Sequence, residues 1–216
     1  MQRSLALGAA TVVAALALSS SAPAADPTPS PTVCNGTISN QVVGDVVVPY
    51  RASCVLDGVY VDGAVTATVS SRDLTLTRTI VAGDLVTDGA RGLTLDRAIV
   101  AGKLDVREPS GPLAITRSAV SGAATVGSAL NEATIGGADG GTGNAFAHGL
   151  TIDGAYGPLA VRRNVVGGDL VVRGAVAGSE LRRNVVGGEL ACRDNDPAPT
   201  GGGNLASSTS GQCAGL

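Results

Sequence analysis

Aromatic side chains are nearly missing from this 216-residue chain: it has no Trp, one Phe and three Tyr, together 2% of its residues. That is too few to centre an ordinary globular core, whereas Val, Leu, Ile and Ala dominate and suit a narrow one. Histidine occurs once, at His148, in a loop beside Gly149 with no nearby Cys or Ser nucleophile. No C-x-x-C pair accompanies it, so a Cys/His metal site or a closely spaced redox pair has no support. No cofactor and no metal ligand set is expected. Positive charge is also scarce: without Arg3, 14 basic residues face 18 acidic ones, a net of about −4. This sign argues against nucleic acid as a partner. No apolar run after Leu18 is long enough to span a bilayer, which needs about 20 residues.

The N-terminus carries Arg3, then the uncharged apolar run Leu5 to Leu18, then Ala22-Pro-Ala24. This order predicts a secretory signal peptide over 1–24 rather than a membrane anchor. Asp26-Pro-Thr-Pro-Ser-Pro-Thr32 follows, inside a proline-rich linker over 25–33 that favours extended polyproline conformation. The expected location is therefore secreted or extracellular, with cell-wall association possible on chemistry alone.

What the chain has in abundance is repetition. Leu74-Thr-Leu-Thr-Arg-Thr-Ile-Val-Ala-Gly-Asp-Leu-Val-Thr87 returns 19 residues later as Leu93-Thr-Leu-Asp-Arg-Ala-Ile-Val-Ala-Gly-Lys-Leu-Asp-Val106. The frame Val-x-Gly-x-(Leu/Val) recurs at Gly63, Gly83, Gly102, Gly168 and Gly188, with weaker copies at Gly44 and Gly122. The steps between these glycines are 19, 20, 19, 20, 46 and 20 residues. A short period rich in β-branched residues and punctuated by glycine predicts an all-β, single-stranded parallel β-helix (β-solenoid) over 34–195. About eight coils are expected, each of 19–20 residues in three short strands, stacked into a rod roughly 40 Å long at the ordinary ~4.8 Å strand spacing. In the coil from Leu74, Leu74, Leu76 and Leu85 should point inward while Thr75 and Val86 point out. The repeated glycine is expected where the chain bends sharply or takes positive φ.

A stack of parallel strands has two open ends, which invite pairing with other chains unless covered. Cys34 and Cys54 sit 20 residues apart near the start, and Cys192 and Cys213 sit 21 apart near the finish. Each spacing is about one coil, so each pair reads as a disulfide between neighbouring layers, while bridges across the rod are too long for a Cα separation of about 4.4–6.8 Å. A Gly/Ser-rich C-terminal cap is expected over 196–216.

The 46-residue step is two coils, one enlarged by Gly136-Gly-Ala-Asp-Gly-Gly-Thr-Gly-Asn144. Such an insertion should bulge outward, stay mobile and tolerate deletion. Gly140-Gly-Thr-Gly-Asn-Ala-Phe146 resembles a calcium-binding nonapeptide repeat, but Ala145 stands where the ligand aspartate should be.

Arg78, Arg97, Arg117, Arg163 and Arg183 occupy one place in successive coils, just after the first strand, and Arg162 and Arg182 double it. At coil spacing they form a basic stripe, broken at Gly137, and are the candidate binding residues. Guanidinium forks suit an anionic cell-wall polymer or an acidic glycan. The competing reading is a solvated corner offset by Asp96, Asp169, Glu180 and Glu189. No catalytic residue is assigned.

The glycine corners, the G-x-(Leu/Val)-x-(Val/Thr) coils, the leader and the tail Cys192-Arg-Asp-Asn195, Pro197-Ala-Pro-Thr-Gly-Gly-Gly-Asn204 and Gly211-Gln-Cys213 resemble the secreted parallel β-solenoid proteins of actinobacteria. The resemblance implies fold and export and no established activity. The function expected is a secreted or envelope-associated, non-enzymatic structural or binding module. A carbohydrate-active β-helix lyase or hydrolase is the alternative, since Asp169 and Glu189, and Asp84 and Lys103, should be neighbours. An ice-binding-like array is a further one, since Thr75, Thr94 and Thr134 share a position that Ala114 and Ala160 interrupt.

Overall fold

The structure is a computed structural model that describes residues 30–137 and 141–216. The expected leader over 1–24, most of the linker and residues 138–140 lie outside the described residues. The described chain is all-β and winds as a parallel β-solenoid of nine coils, one more than the repeat count suggested. The extra coil comes from Thr200–Gly202 and Leu205–Gly211, in the segment expected only as a cap. At the other end, pairing already begins with Thr32–Val33 against Val46 and Val47, in the expected linker.

Each coil has three faces. In one coil these are Asp73–Thr77, Ile80–Val81 and Leu85–Asp88. The first face stacks into a nine-stranded parallel sheet from Gly36–Ser39 to Thr200–Gly202. The second and third faces join into a 17-stranded sheet, because Val185–Arg193 and Leu205–Gly211 each run through both. Register follows the repeat: Leu74, Leu93 and Leu113 are partners in successive coils, as are Leu85 and Leu104.

Alternation along each strand sends one side chain in and the next out. Leu74, Leu76 and Leu85 are fully buried as expected, and the buried Leu, Val and Ile of all coils form one continuous core. The single Phe146 is buried in the column that holds Val120 and Val166 on either side, and its coil carries Ala133 where neighbouring coils have Leu113 and Leu159. One large ring thus enters a narrow bore opposite a small residue, which keeps the packed volume nearly constant.

The repeated glycine serves a different purpose from the one expected. Gly83 and Gly102 are not among the positive-φ residues. Instead the backbones of adjacent coils touch there: Gly102 N–H donates to the Gly83 carbonyl at 3.0 Å, and a Cβ on Gly102 would lie 2.5 Å from that oxygen. Absence of a side chain is what lets the coils close up. Beside this corner an aspartate from one coil caps the next, with Asp45, Asp84 and Asp169 accepting the backbone N–H of Ala64, Lys103 and Glu189 at 2.7–2.8 Å. Both disulfides form as spaced, with Cα separations of 5.6 Å for Cys34–Cys54 and 5.1 Å for Cys192–Cys213.

Candidate functional site

The arginine stripe sits on the corner between the first and second faces. Arg78, Arg97, Arg117, Arg163 and Arg183 all adopt positive φ, between 48° and 58°. The same corner is filled by Asn40 and Gly58 in the first two coils and by Gly203 in the last, residue types that accept this left-handed conformation easily. An arginine there costs backbone strain of order 1 kcal/mol that a glycine would avoid. The same left-handed conformation recurs after the third face at Arg51, Ser70, Glu108, Ser128 and Asp194, so what marks this corner is its row of five arginines and not the strain.

A buried ladder holds the corner in place. Asn144, Asn164, Asn184 and Asn204 each follow a corner residue and turn inward. Asn164 Oδ1 accepts from Asn144 Nδ2 at 3.0 Å, while Asn164 Nδ2 donates to Asn184 Oδ1 at 3.0 Å and to the Ile135 carbonyl at 2.9 Å. The same bonds repeat between Asn184 and Asn204. Toward the N-terminal end Ser118 and Thr79 fill the position with hydroxyls that also bond backbone carbonyls. Every buried amide in the ladder is satisfied, as burial requires, and Arg163 and Arg183 are fixed at their Cα by the residue that follows. The ladder was not anticipated. Its signal was the double occurrence of Arg-Arg-Asn-Val-Val at 162–166 and 182–186.

The charges are partly neutralised. Arg78 pairs with Asp57 at 2.5 Å and Arg117 Nε donates to Asp96 at 2.7 Å, each reaching one coil back. Glu180 takes both doubling arginines, Arg162 Nε at 3.0 Å and Arg182 Nε at 3.2 Å. Of the expected offsetting carboxylates, Asp96 and Glu180 therefore do so, Asp57 joins them, and Asp169 caps a backbone N–H on the opposite corner. Among the described residues no carboxylate pairs with Arg97, Arg163 or Arg183. Arg91, Arg107 and Arg173 lie elsewhere on the surface, and the hydrogen bonds they donate to Asp73, Asp105 and Asp153 push their pKa values up.

Arg117, Arg163 and Arg183 converge on an open groove of about 600 Å³. One wall is the described part of the insertion, Gly141 to Asn144, and the floor is Ala119, Ala145, Val165 and Val185 from the second face. The foot of the insertion is packed rather than loose: Gly137 N–H donates to the Arg162 carbonyl, and a Cβ on Gly143 would lie 1.8 Å from the Arg163 carbonyl oxygen. The expected tolerance to deletion does not extend to Gly143.

The other candidates are placed as follows. Lys103 Nζ lies 3.6 Å from Asp84, and the Asp169 carboxylate is engaged by the Glu189 N–H. His148 is exposed with Nδ1 2.6 Å from the Ser121 carbonyl. Among the described residues no cluster of three or more His, Cys, Asp or Glu is placed to hold a metal ion. Thr75 and Thr94 stack in register and Ala114 interrupts them before Thr134. No described helix is long and apolar enough to cross a membrane. Compared with protein-family models, with curated protein sequences and with solved structures, the chain gives no match. Its class therefore rests on the structure itself: a disulfide-stapled parallel β-solenoid with an arginine-lined groove.

Proposed function

We propose that this chain is a non-enzymatic binding module, exported by the leader over 1–24, that holds an anionic polymer of the cell envelope along the arginine corner. The observation that carries the proposal is the convergence of Arg117, Arg163 and Arg183 on one groove, two of them without a carboxylate partner among the described residues. All but one of the 15 basic residues in the chain are arginine, the side chain whose planar fork matches carboxylate and phosphate oxygens. The two disulfides fit an oxidising compartment such as the cell exterior.

The test is retention of the protein without its leader, residues 25–216, on immobilised anionic wall polymer across a salt series. Retention is expected at low salt and should fade as the screening length shrinks from about 10 Å at 0.1 M to about 3 Å at 1 M. Arg163→Gln with Arg183→Gln should remove most of it while the folded state persists. No retention of the parent at low salt, or equal retention of the double variant, would overturn the proposal.

A further inference from the structure

The groove has two sides of different chemistry, and both repeat with the coil. Outward positions on the second face read Val42, Tyr60, Ile80, Ile99, Ala119, Ala145, Val165, Val185 and Leu205 from one end of the rod to the other, and register makes them direct neighbours. No charged side chain enters this row, and its one polar group is the Tyr60 hydroxyl, far from the groove. Val165 is 54% exposed and Val185 46%, so the row is surface rather than core. The corresponding outward rows differ: the first face carries Thr75, Thr94 and Glu180, and the third carries Asp105 and Thr125. The residues just beyond the apolar row are mostly small, including Ala82, Ala101, Gly167 and Gly187, so the face is flat.

The two edges of this face have opposite sign. Beside the groove the arginine corner borders one edge and the capping corner with Asp169 and Glu189 borders the other; farther along, Lys103 offsets Asp84. A polymer with negative charge on every side would bring anions against Asp169 and Glu189 when it lay on the row. One with anions along a single edge and a C–H face beside them would satisfy the arginines and the row at once.

We infer that the ligand is an acidic polysaccharide of uronate type, lying along the rod with its carboxylates on Arg117, Arg163 and Arg183 and its sugar faces on Val165 and Val185. The inference rests on the anion-binding reading above and adds the class of polymer. Spacing favours it over a lipid: apolar outward positions recur every coil, about 4.8 Å apart, close to the length of a pyranose unit, and arginine stands beside them in three of the four coils of the groove, the coil of Ala145 lacking one. From Arg117 to Arg183 is three coil steps, roughly 14 Å, so three or four sugars bridge the groove. The polyol-phosphate or polyphosphate chain is the other candidate, and it would use the arginines alone.

The experiment measures binding of the protein to a hexauronate, to its methyl ester and to a polyphosphate of matched charge, at low salt. The expected result is a preference of about tenfold for hexauronate over polyphosphate and no binding of the ester. Tenfold, about 1.4 kcal/mol, needs only about 60 Å² of apolar surface to be covered, which two half-exposed valines and two alanines can supply. Val165→Ser with Val185→Ser, both at outward positions, should collapse the preference toward unity. Polyphosphate bound as tightly as hexauronate by the parent would overturn the inference and leave the anion site standing, as would a preference untouched in the serine variant. Binding of neither polyanion would overturn both readings. Ester bound as well as hexauronate would overturn both readings, since the arginines would then contribute nothing.

Discussion

Asn164→Ala removes one rung from the middle of the buried ladder, and the consequence can be worked bond by bond. The amide oxygen accepts from the Asn144 backbone N–H at 3.3 Å and from Asn144 Nδ2 at 3.0 Å, and the amide nitrogen donates to Ile135 and Asn184 at 2.9 and 3.0 Å. Alanine cancels all four and leaves the buried N–H groups of Asn144 facing a dry gap. At roughly 1 kcal/mol per bond, with orphaned buried groups at the upper end, the loss should be about 4 kcal/mol. For a domain of this size that lowers Tm by roughly 8–16 °C. Asn204→Ala is the matched control: it cancels three bonds at the partly exposed end of the ladder, where water can replace them, and should cost about 1 kcal/mol. Urea denaturation of the two variants measures the difference, and amide exchange at Asn144 and Val165 should accelerate in the first variant only. Equal destabilisation, or a loss under about 1 kcal/mol at residue 164, would refute the claim that the ladder stabilises the stack.

Arg97→Gly should leave stability within about 1 kcal/mol of the parent, because relief of positive-φ strain offsets the flexibility that glycine adds to the unfolded chain; retention on anionic polymer should nevertheless fall, which calorimetry and the salt-series assay read separately. Gly102→Ala should destabilise by about 3 kcal/mol, since its Cβ meets the Gly83 carbonyl, whereas Gly44→Ala, with nothing within 4 Å, should change the melting curve very little. Cys34→Ser with Cys54→Ser opens a loop of about 20 residues and should cost roughly 3 kcal/mol; exchange protection should be lost in the first two coils while the amides of Leu104 and Leu150 stay protected.

Period, faces and disulfides were legible because they rest on features that sequence displays directly. Leu74, Leu76 and Leu85 alternate with polar residues, Gly83 and Gly102 recur at fixed steps, and the cysteines are one coil apart. The arginine row was legible for the same reason, but its backbone conformation was not, since arginine gives no hint of positive φ. Glycine misled in the opposite direction: its common use is a left-handed turn, while Gly102 is small because another coil lies against it. Asparagine is ordinarily read as a turn residue, so Asn164 and Asn184 gave no sign of pointing inward until neighbouring coils supplied partners. The ion pairs Arg78–Asp57 and Arg117–Asp96 join residues 21 apart, one coil plus a step, an offset that only the stack makes short.

Each disulfide joins neighbouring coils and none spans the rod. A peptide bond cut anywhere between Cys54 and Cys192 would therefore separate the chain into two covalently independent pieces, each keeping its own staple. A cut at the groove wall near Gly141 would leave five coils on one side and the later ones on the other, joined only by parallel strands and the asparagine ladder. The arginines of the groove would then belong to different molecules, Arg117 to the first and Arg163 and Arg183 to the second. A polymer lying across them would be what holds the two pieces together.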